Sequence, residues 1–214
     1  AQAAVPPLNL WSLSLKGGFI MIPIVLLSLV TIYIFVERLL VLRDAARQDN
    51  TFMQRIKDYI HAGDVESALN LCKKNPTPVA RLIEKGITRL GRPMNDVLVA
   101  IENVGNIEVA KLERRFTWIA TTAGGAPMLG FLGTVTGMVS AFYSMAAAGE
   151  AADITTLSSG IYEALVTTVA GLVVGIIALF AYNYLVSRVN TVVNQLEAST
   201  MEFMDLLNEP ANKK

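Results

Sequence analysis

The sequence predicts an all-helical membrane protein with three transmembrane helices and long cytoplasmic helical extensions. Three observations predict it. Apolar residues fill 53% of the 214 positions and the mean hydropathy is +0.46, too apolar for an ordinary soluble domain. Three uncharged stretches are long enough to cross a hydrocarbon core of ~30 Å, which takes roughly 20 residues of helix. Charge is also segregated: residues 37–117 hold 14 of the 18 Lys and Arg, while Thr117 to Ser187 contains no base and only Glu150, Asp153 and Glu163 as acids.

In chain order, residues 1–16 form an N-terminal segment with Lys16 as its only base. Its start, AQAAVPP, lacks methionine, and small residues there fit an exported end or a truncation. Gly17 to Val36 is uncharged and is followed by Glu37-Arg38, so the first transmembrane helix is set at 17–42. Residues 43–115 read as a helical domain. NTFMQRIKDYI forms a helix after a Thr51 cap, HAGD breaks it, VESALNLCKK forms a second, NPTP stops it, and VARLIEKGITRL forms a third that ends at GRP. From Met94, Val97, Ile101, Val104, Ile107 and Leu112 keep helical spacing, which predicts one helix running straight into the next span. Phe116 to Gly149 is an uncharged run of 34 residues, and the second transmembrane helix is set at 116–147. A short loop occupies 148–160, the third transmembrane helix 161–187, and a C-terminal helix and tail 188–214. Leu185, Val189, Val192, Leu196, Phe203 and Leu206 carry the helical spacing on from the third span. Pro23 and Pro127 are placed near span starts, where a missing backbone bond is best tolerated. The positive-inside rule puts 43–115 and the C-terminus in the cytoplasm, and the N-terminus and the 148–160 loop outside.

Several chemistries are excluded. One cysteine, Cys72, allows no internal disulfide and reads as a small buried thiol. With a single histidine, His61, a Cys/His metal centre cannot form within one chain. No paired aspartates, Ser/His pair or HExxH motif lies in the spans, so no enzyme is expected. No metal, cofactor or nucleic acid is expected either.

The second and third spans are unusual for anchors. At spacings of three and four, Ala123, Pro127, Gly130, Thr134, Gly137, Ala141 and Ser144 share one face, and Ala164, Thr168, Gly171, Gly175 and Ala178 share another. Such faces let helix backbones approach closely, so Gly130, Gly137, Gly171 and Gly175 are assigned to helix packing. Thr134 and Thr168 sit centrally on these faces. A threonine can return its hydrogen bond to the preceding turn and be inert, or it can face a pore or partner. Glu163 is the residue that carries chemistry. A carboxylate at the bilayer centre costs ~2.5–3.5 kcal/mol on insertion scales, and intramembrane carboxylates mark ion and proton paths. Solvation at the headgroup level is the alternative. Thr167 shares the Glu163 face, whereas Thr168, five residues on, is turned by about 140°. One carboxylate on one three-span chain makes a poor channel, so several copies and a partner with a second ionisable group are expected.

These stretches carry a resemblance. APMLGFLGTVTGMVSAF and GIYEALVTTVAGLVVGI, with weaker support from GGFIMIPIVLLSLVTIYIFVERL and GDVESALNLCKK, resemble the ExbB/TolQ/MotA proton-channel stator family, ExbB most of all. Thr134 stands at the threonine of the family's second-span motif, and Glu163 and Thr168 at the glutamate and threonine of its third-span motif. Ser159 stands where many relatives have proline, and Thr167 where many have alanine. The resemblance implies a homo-oligomer, a pentamer, in the bacterial inner membrane, its second and third spans lining a central pore. It implies that Glu163, Thr134, Thr168 and Thr167 line the proton pathway. It further implies protons, lipid, an ExbD-like single-span partner carrying a membrane aspartate, and a TonB-like energy transducer as partners. A TolQ-like or gliding-type stator is the alternative within the family, and a passive membrane scaffold the alternative outside it.

Overall fold

The structure, a computed structural model, describes residues 18–47, 51–149 and 154–208. The expected segment 1–16, Gly17, the loop acids Glu150 and Asp153, and the tail beyond 208 lie outside the described residues. Among the described residues there are only helices and turns: α1 (Met21–Ala45), α2 (Phe52–His61), α3 (Val65–Lys74), α4 (Pro78–Ile87), α5 (Met94–Glu113), α6 (Phe116–Ala148) and α7 (Ile154–Asn208). Three of these, α1, α6 and α7, are long and apolar enough to cross a membrane. The chain divides into two compact units. The first joins the described residues up to Phe35 with Arg115–Asn183; the second joins Val36–Arg114 with the described residues from Tyr184.

In the first unit, α1 buries Met21, Ile24, Thr31 and Ile34, spaced by threes and sevens along one stripe. Its other faces are apolar too, with Ile22, Leu26, Leu29, Ile32 and Tyr33 exposed. On α7, Phe180 is 71% exposed. Helices apolar all round belong in lipid or against other protein, so this unit has the surface of a membrane segment. Phe116 opens α6 buried, with its ring edge-on to Tyr182 at 6.3 Å between centroids.

The second unit has ordinary amphipathic helices. Asp64 caps α3 by accepting from the Ser67 N–H at 3.0 Å. Thr77 caps α4 by accepting from the Ala80 N–H at 3.3 Å, with Pro78 in the first turn. Phe52, Ile56, Ala68, Cys72, Ile83, Ile87, Val97, Ile101 and Leu112 are buried. All six apolar positions counted along the end of α7, from Leu185 to Leu206, are buried as well. Gly86 makes room for the Phe203 ring: a Cβ there would stand 2.5 Å from its Cε1 and 2.9 Å from Ile101 Cδ1. Burial, with the Glu84 charge second, pushes the Cys72 thiol up to about 12. Glu108, only 3% exposed at its side chain, accepts from Arg81 at 2.5 Å and Lys111 at 2.6 Å.

Five expectations are corrected. The helix from Met94 does not run straight into the second span: α5 ends at Glu113, and Arg115 adopts φ 75 before α6 begins. A non-glycine residue there costs ~1–2 kcal/mol, and the spacing from Leu112 to Phe116 passes over the break without a trace. Thr51 precedes α2, but its side chain does not cap it. Pro127 lies well inside α6 rather than near its start. The loop set at 148–160 is shorter, because α7 already begins at Ile154. Ile107, one of the apolar positions at helical spacing from Met94, is 55% exposed.

Candidate functional site

The small-residue faces of α6 and α7 meet each other within one chain. A Cβ on Gly130 would lie 2.8 Å from the Thr167 carbonyl oxygen and 3.0 Å from Thr168 Cα. One on Gly171 would strike the Ala126 carbonyl and stand 3.0 Å from Gly130 Cα. Gly137 faces Ala164 Cβ at 2.9 Å, and Gly160 faces Ala141 Cβ at 2.7 Å. Pro127 has a physical role here. Lacking an N–H, it cannot bond the Ala123 carbonyl one turn back. Gly175 opposite admits both that carbonyl, 3.0 Å from its Cβ position, and the proline ring at 2.5 Å. The helices these glycines pack together are α6 and α7 of the same chain, and backbones this close leave no room between them.

The hydroxyls follow from that seam. Thr167 is 2% exposed and donates to the Ala164 carbonyl at 2.7 Å, with the Gly130 carbonyl at 3.4 Å. Thr168 donates to the Gly130 carbonyl at 2.9 Å and has Thr134 Oγ1 at 3.4 Å. Thr134 donates to the Phe131 carbonyl at 2.6 Å. Each hydroxyl has one proton, and in both Thr134 and Thr168 the shortest contact directs it to a backbone carbonyl. What they offer a third group is lone pairs.

Glu163 lies apart from this pair. Its side chain is exposed, and its Oε1 rests where a Cβ of Gly18 would be. Gly18 has φ +63, a conformation that favours glycine. The carboxylate borders two cavities. One, of about 490 Å³, is shared with Ser140, Ser144, Thr155 and Ser159. The other, of about 220 Å³, is shared with Gly18, Thr136, Ser140 and Thr167. Glu163 and Thr167 therefore meet at one cavity, and Thr168 borders neither. Sequence reasoning missed Gly18, Thr136 and Ser140. Thr136, Ser140 and Ser144 recur every four residues, a signal that was present; nothing in the sequence brings Gly18 to Glu163.

Three bilayer-length helices, a glycine–threonine seam and a carboxylate among hydroxyl-lined cavities define a polytopic helical membrane protein with a polar site in its apolar unit. Residues 74–198, more than half of the chain, match the model of the MotA/TolQ/ExbB proton channel family. The chain belongs to this family. It is 33% identical over 183 residues to biopolymer transport protein ExbB-like 1 of Synechocystis, covering 81% of this chain and 69% of that one. A biopolymer transport protein ExbB homolog of Methanothermobacter thermautotrophicus is 30% identical over 176 residues, covering 80% of this chain and 62% of its own. The chain thus spans under two thirds of that relative's length. The Tol-Pal system protein TolQ of Haemophilus influenzae is 27% identical over 219 residues, covering 95% and 96%.

Proposed function

We propose that the chain is an ExbB-like subunit of an inner-membrane motor. It uses the proton motive force, with an ExbD-like single-span partner, to energise TonB-dependent outer-membrane transport. The observation that carries this reading is Glu163, the only acidic or basic residue in Thr117–Gly149 and Ile154–Ser187, placed by α7 between two hydroxyl-lined cavities. A carboxylate so placed can take and release a proton through water in those cavities. Transfer onward needs a second exchanging group, which the partner's aspartate supplies. Thr134 and Thr168, with their protons held by carbonyls, accept a hydrogen bond from water or from that aspartate in its protonated form. Neither exchanges charge itself, so both are positioning groups. Thr167 holds the α6–α7 seam beside Glu163.

In this reading several copies, five in the form the resemblance implies, surround the partner's helices. Segment 43–115 and the C-terminal helix lie in the cytoplasm, and the N-terminus and the link between α6 and α7 in the periplasm. The test is Glu163→Gln, which keeps shape and removes ionisation. With the partner in proteoliposomes, proton flux should fall to background while the complex stays intact. Normal flux and normal partner-dependent uptake would leave Glu163 a solvated interfacial residue and the chain a scaffold. A TolQ-like role is the second reading, favoured by a match that covers nearly all of both this chain and the Haemophilus TolQ. Expression in strains lacking either ExbB or TolQ separates the two: the ExbB-like reading requires restored TonB-dependent uptake.

A further inference from the structure

Two grooves on the second unit carry opposite charge. One, of about 770 Å³, has Leu98, Val109 and Met201 in its lining and Glu102, Glu197 and Asp205 as its only charged residues. The other, of about 560 Å³, is lined by Val99 and Ile107 with Lys85, Arg89 and Arg92, against one acid, Asp96. Among the described residues, none of these three acids or three bases takes part in an ion pair. Each groove also exposes a large apolar side chain where a buried one would be ordinary: Met201 at 66% and Ile107 at 55%.

The two grooves share α5. At 3.6 residues per turn, Leu98, Glu102 and Val109 centre on one side of that helix, and Val99, Asn103 and Ile107 lie roughly 100–180° away from Leu98 around it. Complementary patches on different sides of one unit suit a head-to-tail contact, repeated from copy to copy until a ring closes. A two-fold contact through either groove would set like charges against each other, which is costly. We propose that the acidic groove is the docking site for the basic groove of a second copy of this chain. The proposal rests on the homo-oligomeric reading above and specifies the surfaces that build it.

Site-directed cross-linking of the full chain in mild detergent tests this. In a Cys72→Ala background, Ile107→Cys and Met201→Cys are combined and treated with a short bis-maleimide. The expected result is a ladder of linked copies from the double variant and none from either single variant. Dimers from a single variant would mean a two-fold contact and would overturn the proposal. Glu102→Lys with Glu197→Lys should lower ladder yield by roughly tenfold or more, as like charges then meet. Adding Lys85→Glu with Arg89→Glu should restore it. Native mass measurement separates the failures. A monomer defeats the homo-oligomeric reading itself. An intact oligomer whose two positions stay reactive to a monofunctional maleimide, without a ladder, overturns the docking alone and leaves the grooves to another partner.

Discussion

At the scale of single residues, Gly18 and Glu163 make one contact with two requirements. Gly18 needs a positive φ, and its bare Cα gives the Glu163 carboxylate its resting place. Gly18→Ala strains the backbone and pushes the carboxylate off that seat. Proton flux with the partner should fall several-fold while α6 and α7 stay packed. Glu163→Asp, whose side chain is one carbon shorter, should lose less to Gly18→Ala than the native glutamate does. Equal losses in both backgrounds would mean that only the strained backbone matters. The threonines teach a different lesson. Hydroxyls that look equivalent in sequence divide into one buried in the seam, Thr167, and a half-buried pair, Thr134 and Thr168, whose oxygens lie 3.4 Å apart.

At the scale of elements, the α6–α7 seam and the Glu108 cluster carry the sharpest consequences. A methyl group on Gly171 meets backbone on α6, which moves only if the helices part. Gly171→Ala should therefore destabilise the protein by about 1–3 kcal/mol, the usual cost of overpacking, read as a lower midpoint in thermal unfolding in detergent. Gly124→Ala meets nothing within 4 Å and is the control; its higher helix propensity makes it neutral or stabilising by up to ~1 kcal/mol. In the second unit, burial raises the Glu108 carboxyl, but the hydrogen bonds and charges of Arg81 and Lys111 outweigh it and hold the group below its ordinary 4.5. A carboxyl held low when folded contributes stability that is complete above its unfolded value and lost as pH falls through the folded one. Glu108→Gln should then lower stability at pH 7 by about 1–3 kcal/mol, towards the lower end because Arg81 and Lys111 are 41% and 62% exposed. It should also flatten the acid loss below pH 4.5, and an unchanged acid profile would deny the cluster its role.

For the molecule as a whole, the segregated charge makes an expectation about sidedness. With Cys72→Ala as background, Ala148→Cys should react with a membrane-impermeant maleimide in intact spheroplasts. Glu66→Cys should react only after the membrane is opened. The reverse pattern would invert the topology. Ala148 and Glu66 are both exposed, so burial does not decide the outcome. The two units differ in what their surfaces can bear. The first exposes Phe131, Phe142, Ile177 and Phe180, which water would not tolerate as a group. The second buries an amphipathic core, with Glu108 and Arg38 as its buried charges, and leaves single apolar side chains such as Ile107 and Met201 outside.

The sequence by itself determined the helical class, the three apolar spans and the amphipathic stripe from Leu185 to Leu206. These are periodic or compositional properties, and each is fixed by neighbours within a few turns. It also singled out Glu163, because an acid in an uncharged run stands out without any coordinates. Only the tertiary structure decided which surfaces the small residues serve, because a glycine stripe says that something comes close and not what. It decided that Thr167 is buried beside the Gly130 carbonyl, that Gly18 seats the Glu163 carboxylate, and that Ile107 faces outward. It also placed the break at Arg115, where one left-handed dihedral leaves the hydrophobic spacing intact. Such facts depend on which distant segments meet, and helical periodicity reports only the face a residue shares with its own near neighbours.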